Sequence, residues 1–325
     1  MKVVIPVAGI GTRLRPHTHT APKGLLQVAD KPILGHILDG LKKIKFDEII
    51  FIIGFLGEKI VDYVKKNYDF KTKFVYQEEL KGLGFALYLA SPKIKKDEPI
   101  LIILGDTIFE ADLSPILKRG ENAIGTKWVE NPKRFGIVEK KGELVKRFVE
   151  KPQHPESHEA IVGIYYIKST ADFKKCLREV VTKDIKTRGE YQLTDVLQLM
   201  VKKGEKFFTF NVDGWYDCGK AETLLYTNRH LLSKFKKTRK IAGSVLIPPL
   251  YVSEKAKIIN SVVGPFVSVA DFAVVRNTLI RNSIINQGAE VSFCLLESSL
   301  IGVNASVNGT FHRLNVGDSS EVGFY

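Results

Sequence analysis

The chain has 325 residues, 44% hydrophobic and 26% charged, which suits a folded protein of two domains and excludes a disordered one. Its formal net charge is +13, but the lysines fall in small scattered groups such as Lys42, Lys43, Lys45 and Lys93, Lys95, Lys96, the pattern of a solvated surface and not of a nucleic-acid stripe. Three widely spaced cysteines exclude a disulfide framework and a cysteine-built metal site, and no apolar run reaches the roughly 18 residues needed to cross a bilayer.

Residues 1–230 alternate short β-rich runs with amphipathic stretches. In chain order the pattern predicts strands over 3–7, 48–53, 73–77 and 100–104, and helices over 33–43, 59–66 and 85–90. Such alternation predicts an α/β domain on a mixed, mostly parallel sheet, with ligand-binding loops after Val7, Gln77 and Leu104. The chain opens directly on its first strand, so a reducing cytoplasm is the expected setting.

The first strand runs into Ala8-Gly9-Ile10-Gly11-Thr12-Arg13-Leu14-Arg15-Pro16, with Pro22-Lys23 following. A glycine-rich turn after a strand lets backbone N–H groups approach phosphate oxygens. The third glycine of a dinucleotide fingerprint is missing, as is the G-K-[ST] of a Walker A loop. What is left is a glycine turn with its own planar donor fork, Arg13, and a point charge, Lys23. Taken alone, the segment reads equally as a structural turn with surface cations.

Residues 231–242 form a lysine-rich linker, and the grammar changes over 243–325. Ala256, Ala273, Ala289 and Ala305 recur at steps of 17, 16 and 16 residues, each followed two places on by Ile258, Val275, Val291 or Val307. Val269, Ile285 and Ile301 make a further column, and six-residue steps run from Val263 to Val269 to Val275. Fixed apolar columns mean stacked coils. Steps of six within them predict a three-sided parallel β-helix of hexapeptide type; chance spacing in a β-sandwich is the competing reading.

The segment Gly9-x-Gly11-Thr12-Arg13-Leu14-x-Pro16 with Pro22-Lys23 resembles the signature of the sugar-1-phosphate nucleotidyltransferases, the NDP-sugar pyrophosphorylases. Further landmarks of that family follow in order: Gln77 with Gly82-Leu83-Gly84-x-Ala86, Gly105-Asp106, Phe135-Gly136-Ile137-Val138-Glu139, Glu150-Lys151-Pro152, Gly163-Ile164-Tyr165, Glu190 with Thr194-Asp195, and Trp215-x-Asp217-x-Gly219. The resemblance covers about residues 1–230 and implies a Rossmann-like catalytic domain that joins an NTP to a sugar 1-phosphate, releasing pyrophosphate. The repeat tail is similar to extensions on thymidylyl-type members and implies a short left-handed β-helix.

The resemblance assigns roles. Arg13 would hold the leaving pyrophosphate, Lys23 the charge near the α-phosphate, and Asp106 with Asp217 a shared Mg²⁺, a hard cation suited to carboxylates. Ala8, Gly9, Gly11, Thr12, Gln77 and Gly82 would bind the nucleotide. Gly136, Glu150, Lys151, Val162 and Gly163 would bind the sugar phosphate, with Glu190 either joining them or capping a helix. Two anions at ~4 Å repel by about 4 kcal/mol at an effective dielectric of ~20, so cations are required, whereas a phosphate monoester needs no protein nucleophile.

The donor and acceptor of the Gln77 amide suit the imide edge of uracil or thymine, which favours dTTP or UTP with glucose 1-phosphate. The alternatives are a mannose-1-phosphate guanylyltransferase and a catalytically silent regulatory subunit. The only histidine of the tail is His312, too little for an acetyltransferase, so the tail is expected to pack subunits of a homo-oligomer or to cover the catalytic domain. Neither nucleic acid nor membrane is an expected partner.

Overall fold

The computed structural model describes residues 1–235, 240–310, 316 and 319–320. It comprises two compact units, one of Met1–Leu26 with Lys31–Thr227 and one of Gln27–Asp30 with Asn228–Tyr325. His312, Lys236 and Lys237, and with them part of the expected linker, lie outside the described residues. No helix among the described residues is long and apolar enough to cross a membrane.

The first unit is built on a nine-stranded sheet in the order Thr72–Tyr76, Glu48–Ile53, Lys2–Pro6, Ile100–Ile103, Glu159–Ile167, Ala123–Trp128, Phe208–Asn211, Leu144–Glu150, Gly136–Lys141. Its central strands are apolar on both faces: Val3, Val4, Ile5 and Ile49 to Ile52 are all fully buried. That is the composition of parallel strands covered by helices above and below. The helix Ile33–Leu41 buries Ile33, Leu34, Ile37, Leu38 and Leu41, and Gly57–Asn67 buries Ile60 and Val64, each a single apolar stripe.

The expectation of a mostly parallel sheet needs correction. The first four strands of the order are parallel, but Glu159–Ile167 runs antiparallel to both of its principal neighbours, and Leu144–Glu150 to both of its own. The cause is local. Lys141 and Leu144 are joined by a two-residue link in which Gly142 takes φ +64°, and so short a link can only return the chain antiparallel.

Three strands also end one residue earlier than their apolar runs, at Pro6, Tyr76 and Ile103. Val7, Gln77 and Leu104 still hydrogen-bond through their amides, to Ile52, Ile53 and Gly163, before the chain turns away.

In the second unit consecutive short strands fall in three different four-stranded parallel sheets. The sequence columns become ladders: Ile258, Val275, Val291 and Val307 stand in register, as do Val269, Ile285 and Ile301. Their side chains fill one apolar core with Val263, Ile280 and the buried alanines Ala273 and Ala289.

Candidate active site

The carboxyl ends of the parallel strands open on a cavity of about 360 Å³. Of the residues singled out in the sequence, Ala8, Gly9, Lys23, Gln77, Gly82, Asp106 and Glu190 line it. Gly11, Thr12 and Arg13 do not line it; they stand in and before a short 3-10 turn, Thr12–Leu14. Gly11 has φ +71°, and a Cβ there would lie 3.1 Å from both Lys23 Cβ and Thr18 Cγ2. Its bare backbone lets Lys23 pass closely, and the Thr18 hydroxyl fixes it by donating to the Gly11 carbonyl at 2.9 Å.

Gln77 is buried and donates one amide hydrogen to the Glu79 carbonyl at 3.0 Å, which holds the side chain in one orientation. Gly82 has φ +99°, and the Gly82–Gly84 segment packs on the backbone of residues 190–192. The Gly84 amide donates to the Tyr191 carbonyl, and the Tyr191 amide to Lys81. That contact carries Glu190 to the cavity wall. The helix Leu193–Lys202 has Gln192 as its N-cap, so the helix-cap reading of Glu190 falls; its exposed carboxylate accepts instead from the Gln192 side chain at 3.1 Å.

Asp106 and Asp217 meet through a two-stranded ribbon in which Thr107–Glu110 pairs antiparallel with Gly214–Asp217 and Thr107 stands opposite Asp217. The Cys218 amide closes the ribbon by donating to the Asp106 carbonyl at 3.1 Å. Arg13 reaches the same corner: a Cβ on Gly219 would lie 2.8 Å from Asp217 Oδ1 and 3.4 Å from Arg13 Nη2. Lys23 Nζ is 2.7 Å from Asp106 Oδ2, and the Thr107 hydroxyl donates to Oδ1 at 3.2 Å.

Identical side chains thereby acquire opposite tendencies. Burial pushes the Asp106 carboxyl up, but the charge and hydrogen bond of Lys23, helped by Thr107, outweigh it and hold it below its usual range. Burial pushes Asp217 up, the Asp106 charge adds to that, and Lys23 and Arg13 only partly offset it. Among the described residues no three His, Cys, Asp or Glu side chains stand close enough to enclose a metal. Two adjacent carboxylates, one of them on the cavity wall, fit a hard divalent cation that takes its other ligands from phosphate oxygens and water.

The other cluster lies where Leu144–Glu150 ends. Glu150 is nearly buried; its carboxylate accepts from the Thr194 hydroxyl at 3.1 Å and pairs with Lys151 Nζ at 3.2 Å. Gly136 lies beneath it, since a Cβ there would come within 3.1 Å of Glu150 Oε2 and 3.0 Å of Thr194 Cγ2. Gly163, at φ +89°, packs on Leu104, and the side chain of Val162 is buried, so these two offer backbone only.

The sequence reading missed Arg188, whose guanidinium donates to the Lys151 carbonyl at 2.8 Å. Its one signal, an Arg-Gly pair just before Glu190, reads in sequence as any polar turn.

The sequence model of the family described as nucleotidyl transferase matches residues 2–234. A protein of Methanocaldococcus jannaschii named bifunctional protein GlmU is 35% identical over 98% of this chain and 77% of its own length. A glucose-1-phosphate thymidylyltransferase of Streptomyces griseus is 28% identical over 98% of each chain. Among solved structures, a UDP-glucose pyrophosphorylase complexed with UDP-glucose superposes with a TM-score of 0.62 at 25% identity, covering 72% of this chain and 98% of that one.

Proposed function

The chain belongs to the nucleotidyl transferase family, and on that premise we propose that it transfers a nucleotidyl group from dTTP or UTP to a sugar 1-phosphate, glucose 1-phosphate first, releasing pyrophosphate. The observation that carries the reading is the convergence of Arg13 and Asp217 on Lys23 and Asp106, which line one cavity with Gln77 and Gly82. The names of the Streptomyces and UDP-glucose relatives support the pyrimidine nucleotide and the sugar.

In this reading the base lies against Gln77 and Gly82, and the triphosphate over the Ala8–Thr12 turn. Arg13 holds the pyrophosphate end, and Lys23 neutralises charge beside the α-phosphorus. Glu150 orients the sugar with the backbones of Gly136, Val162 and Gly163, Lys151 holds its phosphate, and Glu190 stands at the edge of both halves. Asp106 and Asp217 would hold Mg²⁺, which when bound withdraws charge from the reacting phosphate oxygens. The reaction belongs in the cytoplasm, where nucleoside triphosphates are made.

The direct check is pyrophosphate release with Mg²⁺ and glucose 1-phosphate against dTTP, UTP, GTP, ATP and CTP. We expect dTTP or UTP to lead GTP by at least about a hundredfold, because an unpaired buried amide discriminates strongly. A lead for GTP would transfer the reading to a mannose-1-phosphate guanylyltransferase. Silence with every nucleotide, amino sugar phosphates included, would transfer it to a regulatory subunit.

For the tail we propose a left-handed β-helix over 243–325 that joins copies of the chain, with 231–242 linking it to a catalytic domain over 1–230. Its three sides differ. On one, Ser268 and Ile284 are buried and Ser268 bonds to Asn228 of the same unit at 2.7 Å. On another the outward column is Lys257, Val274, Glu290 and Ser306, mainly polar.

The third carries Val245, Val262, Leu279 and Leu295 in register, with Leu295 81% exposed. Beside this ladder Arg281 and Glu297 pair at 2.6 Å, leaving the face neutral on a chain of net charge +13. A second copy presents the same ladder at the same spacing of about 4.8 Å per coil, so the two can interdigitate. Leu295→Glu should therefore lower the mass found by light scattering while the pyrophosphorylase rate stays within about twofold. An unchanged mass would reject this face.

A further inference from the structure

Between the cavity and the Glu150–Lys151 corner lies a turn that the proposed chemistry leaves without a task. Thr187 and Glu190 form an antiparallel bridge, with N–H···O distances of 3.0 and 3.3 Å, across a link of only Arg188 and Gly189. Both link residues are left-handed, at φ +56° and +80°, as in the tight turns that close hairpins. Glycine adopts that geometry freely; arginine does so under strain. Lys151, which accepts the Arg188 hydrogen bond, is itself at φ +42°. Two strained non-glycine residues are thus joined to each other, and strain of this kind persists only where the surroundings over-determine it.

The anchor of the turn is Asp195. It sits in the first turn of the helix Leu193–Lys202, one residue after the Thr194 whose hydroxyl holds Glu150. Asp195 Oδ1 accepts from the Thr187 hydroxyl at 3.0 Å, while Oδ2 is buried and meets no hydrogen-bond donor. The unmatched Oδ2 is unfavourable for folding, and what offsets it is the Thr187 bond to Oδ1 together with the place of Asp195 in the first turn of the helix, where the Gln192 backbone also favours its charge. Burial, opposed by Thr187 and then reinforced by the neighbouring Glu150, pushes its carboxyl above the usual range.

We propose that Asp195 is a positioning residue for the sugar-phosphate half of the site, holding the 187–190 turn through Thr187 and, through Arg188, the backbone of Lys151. The proposal rests on the assignment of Glu150 and Lys151 to the sugar phosphate. The same turn ends at Glu190, which the backbone contact of Gly82–Gly84 with Tyr191 brings to the cavity wall, so the Thr187–Asp195 hydrogen bond ties that wall to the residues that hold the second substrate.

The test uses Thr187→Val, which removes the hydroxyl and keeps the shape, with Thr187→Ser as the conservative rescue. Loss of a hydrogen bond to a carboxylate is worth about tenfold. In Thr187→Val the KM for glucose 1-phosphate should rise about tenfold, with kcat and the KM for the nucleotide each within about threefold; Thr187→Ser should restore the parent values. Amide hydrogen exchange over 186–191 should quicken in Thr187→Val and not in Thr187→Ser.

An unchanged exchange rate overturns the latch, and it does so whether or not the wild-type enzyme turns over any substrate pair. That readout separates failure of the latch from failure of the functional reading. Faster exchange with an unchanged KM, or a parallel loss of both KM values, kcat and melting temperature, overturns the positioning role.

Discussion

Asp217→Asn is expected to cut pyrophosphate release by about a thousandfold or more and yet to raise the melting temperature at pH 7, whereas Asp106→Asn cuts release as far and lowers it. Both carboxylates are proposed to hold the same ion, so both losses of rate follow from the same cause. The stability effects differ in sign because the two carboxyls are shifted in opposite directions.

Burial and the Asp106 charge raise Asp217 above its ordinary value of 3.8. As pH climbs from 3.8 to the raised value the folded state holds more protons than the unfolded one, so stability falls, and at pH 7 the full penalty applies. Asparagine removes that penalty, and the gain should vanish below about pH 3.8, where the parent side chain is neutral in both states.

Asp106 is also pushed up by burial, but Lys23 at 2.7 Å prevails and lowers it. Its contribution is present above 3.8 and is lost as pH falls through the lowered value, so Asp106→Asn forfeits it at neutral pH. Thermal melts of both variants at pH 7 and pH 3.5, beside initial rates, decide the matter. Shifts of the same sign at pH 7 would refute the electrostatic account of this pair.

Gly82→Ala should destabilise the catalytic unit by about 2–6 kcal/mol, the sum of a backbone conformation unfavourable for L-residues and an overpacked contact. Gly82 has φ +99°, and an added Cβ would meet the Tyr191 carbonyl oxygen at 2.7 Å and Glu190 Cβ at 2.9 Å. Neither neighbour is the loose end of a side chain. To make room, the 190–192 segment must retreat and take Glu190 away from the cavity, so the nucleotide KM should rise as well.

Gly142→Ala is the control. It also requires a positive φ, +64°, but an added Cβ would meet nothing within 4 Å, and only the left-handed penalty of about 1–2 kcal/mol applies. Urea unfolding of the two variants gives the comparison. Equal losses would show that the Gly82 contact with residues 190–191 is not what requires glycine there.

The elements that were legible in the sequence are those whose signal is local. Glu48–Ile53 is a run of apolar and β-branched residues that could only be a buried strand, and its limits agree with the structure to the residue. The alanine and valine columns of the tail are periodic because each coil repeats the last, and period is something a single chain displays. Asp106 was singled out by a family resemblance, and it lies three residues past the strand Ile100–Ile103, at the carboxyl end where α/β sheets present their ligands.

What stayed hidden depends on partners far away in the chain. A strand's composition does not say which neighbour it will choose or in which direction, so the antiparallel half of the main sheet could not be read from Glu159–Ile167 alone. Arg188 reaches a carbonyl 37 residues away, and Thr187 and Asp195 have no pattern in common, so the latch left no trace in spacing. Val162 belongs to an expected substrate-binding set, but burial of its side chain limits it to its backbone.

The sequence by itself determined the α/β alternation and the coil repeat, because strand and coil periods are properties of neighbouring residues. Only the tertiary structure decided which of two identical aspartates carries its charge easily. That depends on Lys23, 83 residues from Asp106, and on water excluded by segments that meet only when the chain is folded.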